Sequence, residues 1–199
     1  MSDLTPTRSV VLELKDERRA MHEGYVFLDE KCLLLAGEIL RELDQYDALQ
    51  AEFLTAHATA IEALQAAVAR HGLEGLQVHP AANLDAGDVR RTLHPLMGVR
   101  LQDAVWAGGV PGPAPAPLDR SPEADGCRDA FLELIARAAE LAAIAGNLER
   151  LSAEYRRAVR RARALQDVLL PELDDTVYDI ETRLEELEQE DAIWMRQGR

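Results

Sequence analysis

The chain has 199 residues, a formal net charge of −14, 47% hydrophobic residues and only 5% aromatic ones. Its two cysteines provide no disulfide framework, no run approaches the roughly 20 apolar residues of a membrane span, and Met1-Ser2-Asp3 lacks the basic-then-apolar layout of a secretory signal, so a soluble cytoplasmic protein is expected. So acidic a chain is poorly suited to non-specific binding of nucleic acid or anionic lipid.

Residues 1–8 read as a flexible N-terminus, with Thr7 or Ser9 available to cap a helix. From there an apolar ladder of period seven runs through the first third. Val11, Tyr25, Cys32, Ile39, Tyr46, Phe53, Ala60 and Ala67 share one heptad position, and Leu14, Met21, Leu28, Leu35, Leu49, Ala56 and Ala63 another. A 3-4 spacing sustained this far predicts a coiled-coil helix over 9–72, because under-winding to 3.5 residues per turn keeps one seam on its partner. At 1.5 Å per residue it is roughly 90 Å long. Gly72 and Gly75 supply positions that end helices. Gly24 and Gly37 lie inside it, and close approach of another backbone is the expected reason.

The ladder disappears over residues 73–122. Val89 to Leu93 and Met97 to Val105 have β-branched, alternating character around His94-Pro95, which predicts a short β-hairpin. Gly108 to Pro117 reads as an extended, polyproline-like linker. A second ladder then predicts a coiled-coil helix over 123–196: Phe131, Leu134, Ala138, Leu141, Ala145, Leu148, Tyr155, Val159, Ala162, Leu165 and Leu169, then Leu173, Val177, Ile180, Leu184, Leu187 and Trp194. It is roughly 110 Å long. Pro171 should kink it without ending it, since the ladder resumes at once. Two such ladders joined by a short insert fold back on each other most economically. The fold class is therefore all-α: a long antiparallel two-helix coiled coil of the N- and C-terminal helices, with a small hairpin insert at its tip.

Two surface features suggest binding. Val26, Leu33 and Leu40 each follow a seam residue, with Ala36 and Leu43 flanking them, so the apolar face here is wider than a two-stranded coil covers. Either the supercoil drifts and swallows them, or another protein packs there. Arg150, Arg156, Arg157, Arg160, Arg161 and Arg163 form a basic cluster, whereas Glu172 to Asp191 is rich in carboxylates. The cluster reads equally as a solvated face with local pairs such as Glu154 and Arg157, or as a contact for acidic loops of a larger partner.

Nothing in the sequence composes a catalytic site. There is no phosphate-binding glycine loop, and neither Lys15 nor Lys31 follows a glycine-rich turn. His22, His57, His71, His79 and His94 are scattered, no serine sits in a nucleophile elbow, and no zinc-ligand spacing occurs. No catalytic residue, cofactor site or metal site is expected.

Both ends carry a family pattern. Pro6-Thr7-Arg8-Ser9, Leu12, Leu14-Lys15 and Glu23-Gly24-Tyr25 at the start, Met97-Gly98-Val99 in the middle, and Arg161 through Leu165, Val168-Leu169-Leu170-Pro171 and Arg183 through Asp191 at the end closely resemble the D subunit of the V-type (A/V-type) ATP synthase. The resemblance covers both helices from end to end. Gln102 departs from it, standing where a proline is common, and the linker at 108–117 is longer than the pattern leads one to expect.

The resemblance implies a non-catalytic central rotor stalk in a rotary ATPase of ATP synthesis and hydrogen ion or other ion transport. Such a shaft is peripheral to the membrane, with both termini inside the barrel of catalytic (A) and non-catalytic (B) subunits. It carries a small stalk protein, the F subunit, and meets a funnel-shaped coupling subunit of the membrane rotor. On that reading the candidate partner-binding residues are Arg8, Val26, Leu33, Leu40, Leu43, Arg156, Arg157, Arg160 and Arg161. The alternative is a free-standing coiled-coil adaptor or chaperone-like hairpin that grips clients with its exposed stripe.

Overall fold

The computed structural model describes residues 5–79, 84, 87–108 and 121–197. A long N-terminal helix and a long C-terminal helical run are separated in the chain by a two-stranded antiparallel hairpin, the architecture expected. Helix α1 spans Arg8–Leu76, strands β1 and β2 span Asp88–Leu96 and Val99–Ala107, and α2 spans Pro122–Ala164. A π-helical turn, Leu165–Leu169, leads into α3, Leu170–Gln197. The chain divides into two compact units, Met1–Leu35 with Glu154–Arg199, and Ala36–Ala153.

In the first unit the start of α1 runs antiparallel to the end of the chain. Arg8 pairs with Glu188 at 2.7 Å, Lys15 with Glu181 at 2.5 Å, Arg18 with Asp174 at 2.5 Å and Lys31 with Glu154 at 2.6 Å, an order that reverses along the second partner. Beneath these pairs lie Val11, Leu35, Ala158, Ala162, Leu173, Val177 and Ile180, all buried. Thr7 caps α1, its Oγ1 accepting the Val10 N–H at 3.3 Å and its carbonyl the Val11 N–H.

The π-helical turn precedes Pro171, with the Leu170 N–H donating to the Leu165 carbonyl. Pro171 has no N–H to donate and its ring crowds the carbonyl four residues back, so widening the turn by one residue relieves the clash while the helix continues.

In the second unit α1 and α2 are again antiparallel. Glu52 pairs with Arg137, and Arg70 with Glu123 at 2.5 Å. Gly72 leaves helical geometry at φ 69°, ψ 166°, a conformation glycine adopts without strain, and a last helical turn follows to Leu76. Helix α2 begins at Ser121-Pro122-Glu123. The buried Ser121 Oγ accepts the Ala124 N–H at 3.3 Å, Pro122 opens the first turn, and Glu123 and Asp125 meet the helix's positive end. His71 Nε2 lies 2.6 Å from the same hydroxyl.

The hairpin turns at Met97-Gly98, not at His94-Pro95. Both residues have positive φ, 46° and 87°, the requirement of a two-residue type I′ turn whose twist matches the strands. His94 and Pro95 instead lie within β1. Pro95 faces Arg100 one step from the turn-closing pair Leu96 and Val99, a position whose N–H points away from the neighbouring strand, so proline costs the ladder nothing. Val99, Leu101 and Ala104 are buried, whereas β1 is largely exposed.

Two further expectations need correction. Gly24 and Gly37 serve no close backbone approach: a Cβ at Gly24 would meet only Leu165 Cδ1, at 3.9 Å, and one at Gly37 would meet nothing within 4 Å. The second ladder also misses the deepest positions of α2. Asn147, Leu151 and Ala158 lie outside it yet are at most 1% exposed, whereas Phe131, which opens it, is 36% exposed. Alanines recur on every side of this helix, so the apolar pattern admits more than one register. The linker expected at Gly108 to Pro117 lies, beyond Gly108, outside the described residues, as does the N-terminus before Thr5.

Candidate partner-binding surface

The seam residues Tyr25, Cys32 and Ile39 are half-buried, but the residues that follow them are not covered. In the first unit Val26 is 41% exposed and Leu33 69%, with Phe27 and Leu34 beside them also exposed. In the second unit Leu40 is 63% exposed and Leu43 is exposed too, whereas Ala36 is half-buried. The supercoil therefore does not swallow the stripe within either unit. Leaving a large aliphatic side chain wet forfeits about 1.5 to 3 kcal/mol relative to burying it. Phe27 and Leu34 directly precede the seam residues Leu28 and Leu35, at a heptad position that ordinarily faces solvent, so a reading that follows only the residues after Tyr25, Cys32 and Ile39 passes over them.

The arginines divide into paired and free. Arg8 is exposed and holds Glu188. Arg157 reaches Glu154 at 3.3 Å, and that carboxylate also receives Lys31 Nζ at 2.6 Å. Arg156, Arg160 and Arg161 are exposed and join no ion pair among the described residues. With Arg163, also exposed and without an ion pair among the described residues, they gather positive charge within about two helical turns on a chain of net charge −14, and Arg161 lies near enough to Glu154 to help hold its carboxyl low.

Lys31 and Glu154 are the least exposed ion pair of the first unit, at 14% and 19% of their side-chain surface. The hydrogen bond from Lys31 holds the Glu154 carboxyl below its ordinary range, against the opposing effect of burial. A carboxyl depressed in the folded state stabilises the fold above its unfolded pKa, near 4.3, and loses that contribution as pH falls through the lower folded value. Glu154→Gln should therefore lose less stability than the parent chain between about pH 5 and pH 3, read from urea midpoints across that range. Equal losses would show that the pair contributes nothing in solution.

The sequence reading misses one polar cluster entirely. Glu42 and Asn147, 3% and 0% exposed, meet inside the second unit, with Asn147 Nδ2 donating to Glu42 Oε2 at 3.3 Å. The signal available is a gap: Glu42 occupies the heptad position between Leu35 and Leu49, where the ladder lacks an apolar residue.

Among the described residues no group of three or more His, Cys, Asp or Glu side chains is placed to hold a metal ion, and no helix is long and apolar enough to cross a membrane. The surface offers apolar contact and positive charge along paired helices. The chain is 26% identical to the D subunit of the V-type ATP synthase of Thermotoga neapolitana over 196 residues, covering 97% of this chain and 95% of that one. It is 25% identical to the D subunit of the A-type ATP synthase of Methanoregula boonei, covering 98% and 95%, and 28% identical to that of Thermococcus sibiricus, covering 93% and 88%. With the family pattern for the ATP synthase D subunit matching residues 10–196, nearly the full length, the chain belongs to the ATP synthase D subunit family.

Proposed function

We propose that this chain is the central shaft of a V/A-type rotary ATPase or ATP synthase, transmitting torque between the catalytic barrel and the membrane ion-translocating ring without performing chemistry itself. The observation that carries the reading is the family match across residues 10–196. Antiparallel helices cross-linked by ion pairs along their length suit an element that must carry twist. On this reading the chain is peripheral to the membrane, held there by the complex.

The exposed apolar positions Val26, Leu33, Leu40 and Leu43 are the assigned docking points for a partner such as the small F subunit of the stalk. Arg8, Arg156, Arg157, Arg160 and Arg161 are assigned to acidic loops of the barrel of A and B subunits, and a funnel-shaped coupling subunit completes the path to the membrane rotor. Charged contacts fall off gradually with distance and need no interdigitation, which suits surfaces that slide past one another.

Affinity purification of the tagged chain from its native cells is the test. One copy should be recovered per assembly, together with nucleotide-binding subunits. Recovery of a symmetric oligomer of this chain alone would favour the free-standing adaptor instead.

A further inference from the structure

Asn147 is fully enclosed, and every hydrogen-bonding position of its amide is used. Oδ1 accepts the Gln102 N–H at 2.9 Å and Arg150 Nη2 at 2.7 Å, while Nδ2 donates to the Gln102 carbonyl at 3.0 Å and to Glu42 Oε2 at 3.3 Å. Two donors and two lone pairs are all that an asparagine amide has. The reverse orientation would set its NH2 against two other donors, so the network fixes the amide one way.

The partner on the hairpin is backbone, not side chain. Gln102 faces Leu93, one of the pairs in which both residues direct N–H and C=O away from the neighbouring strand. Its outward peptide groups would otherwise be an open sheet edge pressed against a helix, where a buried donor or acceptor left unmet is costly. The amide of Asn147 meets both groups as a third strand would. Among the described residues no other side-chain hydrogen bond joins the hairpin to a helix.

We propose that Asn147 is a latch that holds the β-hairpin on α2 in a single register, and that the hairpin can be released there while the helix pair stays folded. Register follows from the bonding pattern. A slip of one residue would offer the amide Leu101 or Asp103, whose N–H and C=O are already committed to β1. Glu42 meets the amide from α1 and Arg150 meets it from α2, so its orientation is held by both helices as well as by the strand. The remaining hold on the hairpin is the apolar contact of Val99, Leu101 and Ala104 together with charge attraction of His94 to Glu38 and of Asp103 to Arg41, neither of which is as directional as the paired hydrogen bonds of the amide.

Hydrogen–deuterium exchange of the full chain tests this with two variants. Gln102→Pro removes the N–H that Asn147 accepts, and because that N–H points away from β1 the ladder itself is spared. It should speed exchange of the Leu101 and Asp103 amides about fivefold, the worth of one hydrogen bond of about 1 kcal/mol. Asn147→Leu removes the whole connection and should speed the same amides at least about tenfold. In both variants amides of α1 and α2 should keep their protection. Unchanged exchange at Leu101 and Asp103 in both would overturn the latch. Equal acceleration of hairpin and helix amides would overturn its release as a separate step.

Discussion

Reversing Arg160 and Arg161 to glutamate is expected to lower coupled ATP hydrolysis of the reassembled complex by about tenfold or more, while the isolated chain keeps its helical content and its unfolding midpoint. Like charges brought together at an interface cost several kcal/mol. Both arginines are exposed and neither joins an ion pair among the described residues, Arg161 reaching Glu154 only through a coulombic pull weaker than that of Lys31. Arg157 is the internal control, because it is engaged with Glu154 inside the chain. Arg157→Glu should therefore also disturb the Lys31 and Glu154 contact and shift the unfolding midpoint, which the Arg160 and Arg161 reversals should not. If the arginines meet acidic loops, coupling in the parent complex should weaken as ionic strength rises, since the screening length shrinks from about 10 Å at 0.1 M to about 3 Å at 1 M salt. Full coupled activity in the double reversal would remove these residues from the torque path.

How much is legible in the sequence follows from how strongly each residue's surroundings dictate it. The first ladder is readable because large side chains recur at two positions with polar residues between them: Val11 and Leu35 are buried, and Leu14, Leu28, Ile39 and Leu49 half-buried. The second is blurred by alanine, which marks no side of a helix, so Leu151 and Ala158 go unread although they are buried more deeply than most of the positions in the ladder. The hairpin is foreseen but its turn is misplaced, because proline reads as the breaker when a positive φ at Met97 and Gly98 is the governing requirement. Asn147 cannot be found from periodicity. Its importance lies in a backbone 45 positions away in the chain, and no local pattern encodes that meeting. The apolar stripe is visible because large aliphatic side chains stand at heptad positions where the pattern calls for polar ones, and those positions are exposed.

Three consecutive leucines offer the sharpest separation of folding from binding. Leu33 is 69% exposed, Leu34 56% and Leu35 0%, although all three have the same composition and the same helical propensity. Leu35→Ala empties a filled core position, and both the lost transfer energy and the residual cavity count against it, for an expected loss of about 2–5 kcal/mol in urea denaturation of the isolated chain. Leu33→Ala removes atoms already in water and should stay within about 0.5 kcal/mol. The double variant Leu33→Gln with Leu40→Gln should likewise leave the isolated chain's stability near the parent's, yet abolish recovery of the small stalk protein in a pull-down. The two measurements must therefore rank the positions oppositely, stability failing at Leu35 and partner binding failing at Leu33 and Leu40. If the glutamine variant still captured the partner at the parent level, these exposed leucines would have to be tolerated surface, and the docking face would have to be sought elsewhere on the helices.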